Sequence, residues 1–323
     1  MLPGAITFAE ARELARAAED AGAESVWVGD LRRDPYLLSA AALDGTRAVE
    51  VGPNVAVAFA RSPAVTAAVA WDLALMSGGR FVLGLGSQVG PTLEARFGVS
   101  VDHPGPRMKD YVLAVRACWE AYRHGYGRYE GAFYKIRRPV FQPGAEPGFD
   151  IPVYVSGVNR VMTQAAGEVA DGFAAHAFNT PEYMRDVLIP ALDEGAAHAQ
   201  RQRPRVLLYL ACAPDRGTAA AQMYAYTVPA YRRVLEHAGK AAVADRVLAL
   251  AQEGKRAEAR KLVEEELIDH LGVVVGDDIE AALQRWGPYA DRIALGVPWY
   301  GMDAPAQLEH CRRLIARLGA MRS

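Results

Sequence analysis

The chain has 323 residues, of which 51% are hydrophobic and 23% are charged, and its formal net charge is −2. This composition is that of a globular protein and excludes a disordered chain, a collagen and a coiled coil. The near-neutral charge gives no long-range attraction to nucleic acid or to an anionic membrane, so we expect neither as a partner. A small-molecule substrate is the expected partner.

The three cysteines are far apart in sequence and have no metal-ligand spacing, so we expect neither a metal site nor a disulfide framework. No apolar run approaches the ~18 residues of a membrane span. The first 20 residues lack a basic region followed by an apolar stretch, so we expect no signal peptide. A cytoplasmic location is therefore expected.

The predicted elements alternate along the chain. A capping box between Thr7 and Glu10 predicts the first helix. Further helical patterns cover 64–77, the stretch from Met108 to Tyr122 and the stretch from Val161 to Val169. Seven short runs of Val, Leu and Ile barely alternate with polar residues, as is typical of strands buried on both faces of a parallel sheet. These runs are 25–30, 51–59, 80–86, 152–156, 172–178, 205–212 and 291–297.

Strand–helix alternation repeated about eight times over ~250 residues predicts an α/β fold, a (β/α)₈ TIM barrel, with an open doubly wound sheet as the alternative. We interpret residues 1–323 as one domain. The first strand would have to lie in 1–6, where Pro3 and Gly4 are unfavourable, so it is predicted to be shortened or missing.

Two stretches are longer than the barrel repeat requires and are interpreted as insertions after the fourth and seventh strands. The first, 88–152, contains a helix and then a Gly-rich, aromatic hairpin and loop at 125–144. It follows a strand end, where barrel insertions line active sites. The second, 217–271, is helical and charged, and it is either a solvated surface or a lid or dimer contact. We expect a homodimer.

Two loops at strand ends are candidate binding sites. Gly86, Ser87 and Gln88 follow the fourth strand and could let a planar ligand approach the backbone, or could form a tight turn. Ser156, Gly157, Val158 and Asn159 join a strand to a helix, whose free N–H groups favour phosphate. The alternative is an ordinary turn with Asn159 as the helix N-cap.

Two titratable residues are candidate catalytic groups. Asp30 ends one predicted strand and His176 lies near the end of another, so both should face the barrel mouth. A histidine there can relay a proton or bind substrate, but it can also be a packed core residue. Asp30 could instead cap the next helix or bond Arg32. His103 is interpreted as a loop residue only.

Several stretches together resemble the bacterial luciferase-like monooxygenase superfamily, and within it the coenzyme F420 (deazaflavin)-dependent oxidoreductases. They are ARELARAAEDAGAESVWVGD, the region from AVAFARSP to SGGRFVLGLGSQVG, RMKDYVLAVRACWEAY followed by YEGAFY, IPVYVSGVNRVMTQAAGEVADGF and DRIALGVP. The resemblance covers nearly the whole chain and is weakest in 217–271.

The resemblance implies a flavin or deazaflavin ring at the barrel mouth. It implies a cis peptide bond between Asn54 and Val55 that supports the ring, and a cofactor phosphate at Ser156–Asn159. Gly86, Ser87 and Gln88 map onto the loop near the ring and side chain. Leu31 and Val89 depart from the sugar-phosphate dehydrogenase branch, which has a histidine and a glutamate at these positions.

The leading hypothesis from the sequence is hydride transfer between coenzyme F420 and a small organic substrate, with Asp30 or His176 moving the accompanying proton. One alternative is a monooxygenase that uses reduced FMN. The other is a non-catalytic flavin-binding barrel. A deazaflavin with a polyglutamyl tail needs positive charge, and Arg32, Arg33 and Arg160 near the mouth favour it over FMN.

Overall fold

The computed structural model describes residues 1–137 and 148–321. Its strands are β1 (Ser25–Val28), β2 (Glu50–Pro53), β3 (Ala56–Val57), β4 (Leu83–Gly86), β5 (Tyr129–Glu130), β6 (Lys135–Ile136), β7 (Val153–Gly157), β8 (Gly172–Ala175), β9 (Arg205–Ala213), β10 (Val273–Val275) and β11 (Arg292–Gly296). Each of the predicted apolar runs contains a strand.

The α-helices alternate with these strands, as predicted. They are α1 (Phe8–Asp20), α2 (Pro35–Gly45), α3 (Pro63–Ser77), α4 (Gly90–Phe97), α5 (Pro104–His124), α6 (Arg160–Val169), α7 (Pro181–Tyr183), α8 (Ile189–His198), α9 (Arg216–Tyr224), α10 (Arg232–His237), α11 (Ala241–Gln252), α12 (Arg256–Glu266), α13 (Ile279–Trp286) and α14 (Ala304–Ala320). The predicted capping box is present: the Thr7 hydroxyl accepts from the N–H of Glu10 at the start of α1.

Parallel pairing joins β1 to β2, β3 to β4, β4 to β7, β7 to β8, β8 to β9 and β9 to β11. Val51 links β2 to the segment that enters β4. Its N–H donates to the carbonyl of Arg80 and its carbonyl accepts from the N–H of Val82, both over 2.9 Å. These contacts therefore connect β1, β2, β3, β4, β7, β8, β9 and β11 into one parallel α/β series.

The first two residues lie between the end strands of this series. The Met1 ammonium donates to the carbonyl of Leu295 in β11 over 2.5 Å. The N–H of Leu2 donates to the carbonyl of Trp27 in β1 over 2.8 Å. The predicted first strand is therefore a stub whose two residues bridge β11 and β1, as the barrel interpretation requires.

A small layer of five buried side chains lies among the parallel strands. Trp27, Val82, Tyr154, Leu207 and Ala294 form a buried cluster separate from the larger core between strands and helices. Layers of this kind, contributed by alternating strands, fill TIM barrels. Because both faces are covered, the strand sequences show little alternation, which is the pattern that the sequence predicted.

Both predicted insertions contain the expected elements. β5 and β6 form an antiparallel hairpin, while residues 138–147 of the first insertion, including the end of its predicted loop, lie outside the described residues. The second insertion is helical and contains most of α9 and all of α10, α11 and α12. The short strand β10, which the sequence analysis did not predict, follows it and pairs with the last three residues of β9.

The described part of the chain has no helix with the length and apolar character that a bilayer-crossing segment requires. Within residues 1–137 and 148–321 there is also no group of three or more His, Cys, Asp or Glu side chains that could hold a metal ion. Cys118, Cys212 and Cys311 are free and buried.

Candidate functional site

A cavity of about 600 Å³ opens at the carboxyl ends of the parallel strands. Barrel enzymes place their reacting groups at this end. The cavity is lined by every residue that the sequence analysis predicts for the site: Asp30, Asn54, Val55, Gly86, Ser87, Gln88, Ser156, Gly157, Val158, Asn159 and His176. The fold therefore brings these residues together, while their binding and catalytic roles stay predictions.

The peptide bond between Asn54 and Val55 is cis, at the position that the family resemblance implied. It lies in the short junction between β2 and β3. Gly86 stands beside it: a Cβ atom on Gly86 would lie 2.4 Å from Cγ2 of Val55. Glycine at position 86 therefore leaves room for the Val55 side chain. Packing against Val55 is one reason for a glycine here.

The predicted phosphate loop leads from β7 into α6. Asn159 occupies the N-cap position, but its side chain does not cap the helix. Its Nδ2 donates to the carbonyl of Ala230 over 3.0 Å, and its Oδ1 is buried without a partner in the described structure. The N–H groups of the first turn of α6 therefore have no side-chain acceptor, and a helix end of this kind favours an anion.

Two non-glycine residues in the cavity wall have left-handed backbones. The φ angle is 58° at Gln88 and 47° at His103. This conformation costs about 1–2 kcal/mol for a residue with a side chain, and such residues cluster at functional sites. His103 is also the N-cap residue of α5. His103 is thus a loop residue before α5, as expected, and it also lines the cavity.

His176 has a fixed orientation. Its Nδ1 accepts the backbone N–H of Phe178 over 2.9 Å, so the proton of the neutral ring is on Nε2. Burial lowers the pKa of His176 from 6.5 to about 4, and the ring is therefore neutral at neutral pH. Nδ1 is the only ring nitrogen with a hydrogen-bond partner among the described residues. Because the ring lines the cavity, its Nε2–H is available to a ligand.

Aromatic side chains surround His176, and the sequence analysis did not predict them. The His176 ring centroid is 4.4 Å from that of Tyr226, 5.4 Å from that of Tyr231 and 6.2 Å from that of Tyr209. Trp299 stacks on Tyr209 with a centroid distance of 6.3 Å. All of these rings line the cavity. Trp299 follows the last strand, so the rule that strand ends line the site could have identified it.

A buried glutamine holds two of these aromatic residues. Oε1 of Gln222, in α9, accepts the backbone N–H groups of Trp299 over 2.7 Å and Tyr300 over 3.0 Å. Its Nε2 donates to the Tyr226 hydroxyl over 3.2 Å. Gln222 therefore connects the segment after β11 with the helical insertion, at the cavity wall.

Asp30 is held by two hydrogen bonds. Its Oδ2 accepts the N–H of Val57 over 3.0 Å and Nη1 of Arg61 over 3.1 Å. The alternatives suggested for Asp30 are wrong, because Asp34 caps α2 and Arg61, not Arg32, is its ion-pair partner. These contacts favour a positioning role for Asp30, and its role in proton transfer stays a prediction.

The expected basic mouth is not found among the described residues, because no arginine or lysine lines the cavity there. Nε of Arg33 donates to the carbonyl of Ile6 over 2.6 Å, and Arg160 pairs with Glu194. Arginine positions in the sequence therefore do not discriminate between a deazaflavin and FMN.

Comparison with known proteins gives a family match, two similar sequences and a similar solved structure. The family model described as luciferase-like monooxygenase matches residues 1–287. An uncharacterized protein of Mycobacterium tuberculosis is 36% identical over 294 residues, which are 86% of this chain and 86% of that protein. A 5,10-methylenetetrahydromethanopterin reductase of Archaeoglobus fulgidus is 30% identical over 190 residues, covering 58% of this chain and 54% of that protein.

A solved structure has the same fold. The coenzyme F420 dependent tetrahydromethanopterin reductase of Methanopyrus kandleri superposes with a TM-score of 0.79 at 22% identity, covering 99% of this chain and 95% of that chain. This likeness extends over the whole strand–helix series and supports the barrel interpretation.

Proposed function

Because the chain belongs to the luciferase-like monooxygenase family, we propose that it is an F420-dependent oxidoreductase that transfers a hydride between this deazaflavin and a small organic substrate. The observation that carries the proposal is the cavity at the strand ends, which is lined by all the residues that the resemblance assigns to the cofactor. The proposal agrees with the coenzyme F420 dependence of the M. kandleri reductase, whose fold this chain shares.

The phosphate loop fits a phosphorylated cofactor. The first turn of α6 has no side-chain cap, so its N–H groups can donate to a phosphate. The buried, unpartnered Oδ1 of Asn159 can accept a hydrogen bond from a ligand hydroxyl. We assign Ser156–Asn159 to the phosphate, and Val55 together with Gly86, Ser87 and Gln88 to the region of the ring.

When bound, a deazaflavin supplies a two-electron hydride donor or acceptor. The protein must orient the substrate against it and keep water away. The neutral Nε2–H of His176 can donate to a substrate oxygen. Asp30, fixed by Arg61 and the Val57 N–H, holds the end of β1 against β3.

A luciferase-like monooxygenase that uses reduced FMN remains the second candidate. The observation that favours it is the lack of arginine and lysine in the described cavity lining, since FMN has no polyglutamyl tail. A non-catalytic flavin-binding barrel is the third reading, and a turnover assay against a substrate library distinguishes it from the two enzymes.

The test is to titrate the protein in parallel with coenzyme F420 and with FMN. Quenching of tryptophan fluorescence measures the binding of each. Trp299 lies in the cavity wall and serves as the reporter. We expect tighter binding of F420. Equal or tighter binding of FMN would overturn the cofactor assignment and favour the monooxygenase.

A further inference from the structure

A second cavity, of about 460 Å³, lies at the amino ends of β1 and β11, at the opposite end of these strands from the mouth. We call it the base cleft, and α14 contributes its outer wall. β1 pairs with β2, and β11 pairs with β9. Within residues 1–137 and 148–321, main-chain hydrogen bonds connect β1 and β11 only through Met1 and Leu2. The base cleft is therefore the part of the gap between two strand edges that these two residues leave open.

The main-chain groups at these two edges are in register for one more parallel strand. Along a strand, the N–H and C=O groups of alternate residues point to the same edge. The N–H of Leu2 bonds the carbonyl of Trp27 and the amino group of Met1 bonds that of Leu295, so both carbonyls face the gap. The N–H groups of Trp27 and Leu295 therefore face the base cleft. The carbonyls of Ser25 and Ile293, two residues earlier, face it as well.

The amino group of Met1 lies at the inner end of the base cleft. It has one hydrogen bond to a described residue, the carbonyl of Leu295, although an ammonium group has three N–H donors. Burial lowers the pKa of this amino group, because the charged form loses its hydration. A carboxylate is the group that would pair with the remaining donors and stabilise the charged form.

The wall of the base cleft is mostly apolar. Leu314 and Leu318 of α14 line it together with Ala294 of β11. Side chains alternate between the two faces of a strand, and Leu2 packs in the core between strands and helices. A strand residue that precedes Met1 points to the same face as Leu2, which is the side of α14. The base cleft therefore suits an apolar side chain at that position.

We propose that the base cleft binds the extended carboxyl-terminal segment of another polypeptide, which adds a strand parallel to β1 and β11 and places its carboxylate at the amino group of Met1. The direction of Met1 and Leu2 fixes this orientation, because a parallel strand ahead of them has its carboxyl end at Met1. Strand addition gains affinity from main-chain hydrogen bonds and specificity from alternate side chains. The inference does not depend on the cofactor of the mouth cavity.

The experiment titrates the full chain with the peptide acetyl-Thr-Ile-Val-Leu, which ends in a free carboxylate. Calorimetry measures its affinity and that of two matched peptides, one ending in an amide and one with an N-methyl group on the leucine. The amide should bind at least about tenfold more weakly, because it lacks the charge that pairs with Met1. The N-methyl peptide should lose about as much, because its leucine cannot donate to the carbonyl of Ser25.

Equal affinities of the three peptides, or no binding of the first at about 1 mM, would overturn the inference. Octanoate separates a peptide from a simple amphiphile, because it has a carboxylate and an apolar chain but no main-chain groups. We expect it to bind more weakly than the free-acid peptide. Octanoate binding as tight as that of the peptide would contradict strand addition.

Hydrogen exchange measured by NMR locates the peptide. Bound peptide should slow exchange of the N–H groups of Trp27 and Leu295, which face the base cleft. The N–H groups of Val26 and Ala294 are internal controls, because they face β2 and β9 and should change little. Slower exchange elsewhere, without an effect at Trp27 and Leu295, would place the peptide outside the base cleft and refute the proposal.

Two changes to the chain test the same site. Leu314→Asn should weaken the peptide at least about fivefold through the apolar wall, while Ala316→Asn, at an exposed position of the same helix, should not. Melting temperatures show whether both variants are folded. If Leu314→Asn is unfolded, a chain lengthened by Ile-Val before Met1 decides, because those residues fill the base cleft and remove the free amino group. Undiminished peptide binding by the lengthened chain would contradict the assignment.

Discussion

The backbone N–H of Phe178 donates to Nδ1 of His176 over 2.9 Å. This bond persists only while the ring is neutral at Nδ1, because a protonated Nδ1 cannot accept. Burial also lowers the pKa of the ring from 6.5 to about 4. Geometry and burial therefore act in the same direction and favour the neutral ring.

The first prediction concerns the pH dependence of stability. Between the unfolded pKa of 6.5 and the folded pKa of about 4, the unfolded chain binds a proton at His176 and the folded chain does not. The contribution of His176 to the free energy of unfolding is fully present above pH 6.5. It decreases as the pH falls toward 4, by up to about 3 kcal/mol.

Urea unfolding at about pH 7 and about pH 4.5 measures this loss. His176→Asn has no titrating ring, so its free energy of unfolding should fall less between the two pH values than that of the unmodified protein. The same loss in both proteins would show that other groups cause it.

The second prediction tests the phosphate loop through Asn159→Asp. A carboxylate at the N-cap favours the helix, but it repels a phosphate. We expect cofactor affinity to fall at least about tenfold while the melting temperature is little changed. Asn159→Ser, a neutral residue that also suits an N-cap, is the matched control for charge.

Gly157→Val is a poorer test of this loop. A Cβ at Gly157 would lie 2.9 Å from Cγ of Met162, in the packed wall behind the loop. That variant would lose stability as well as affinity. Unchanged affinity in a folded Asn159→Asp protein would place the phosphate elsewhere.

The third prediction compares two changes at Gln222, which is fully buried. Gln222→Met leaves the N–H groups of Trp299 and Tyr300 without their acceptor. It should cost about 2–4 kcal/mol of unfolding free energy and weaken ligand binding beside Tyr226 and Trp299, which Gln222 holds in the cavity wall. Gln222→Glu keeps an acceptor oxygen for both N–H groups and should retain more of the binding. Equal ligand affinity in both variants would contradict the positioning role.

The fourth prediction is a homodimer that buries α2 and α3. Both helices are mostly apolar, with one aspartate each, although helices exposed to water usually have a polar face. Val65 is 59% and Met76 56% exposed in the single chain. They lie about three helical turns apart, on the same side of α3.

Light scattering after size exclusion should give twice the chain mass. Val65→Glu combined with Met76→Glu should give a monomer. Lys261→Glu is the control, because Lys261 is 74% exposed on α12, which packs on α9 and α11, and this change alters the charge by as much as the double variant does. A monomeric unmodified protein would refute the dimer.

The sequence predicted where the site lies because the fold has a simple rule. Once a run is assigned to a parallel strand, its last residue must face the common mouth. Asp30, Gly86, Ser156 and His176 were located in this way, and all of them line the cavity. The Thr7–Glu10 capping box could also be predicted, because it needs only two side chains on one helical turn.

The composition of the wall could not be predicted in the same way. Tyr226 and Tyr231 belong to the insertion after β9, and nothing within that segment shows which side of it meets the barrel mouth. The ion pairs of Arg160 and Arg61 depend on Glu194 and Asp30, which are distant in sequence. The sequence analysis therefore overestimated the positive charge at the cavity mouth, because it counted arginines without their ion-pair partners.

The hydrogen bond from Nδ2 of Asn159 to the carbonyl of Ala230 links the phosphate loop to the segment that carries Tyr226 and Tyr231. A ligand that turns the Asn159 amide breaks this bond and frees the backbone at Ala230, next to Tyr231. We therefore expect occupancy at the phosphate loop to change the affinity for a ligand beside the tyrosines. Such coupling is reciprocal, so the factor by which cofactor changes substrate affinity equals the factor by which substrate changes cofactor affinity.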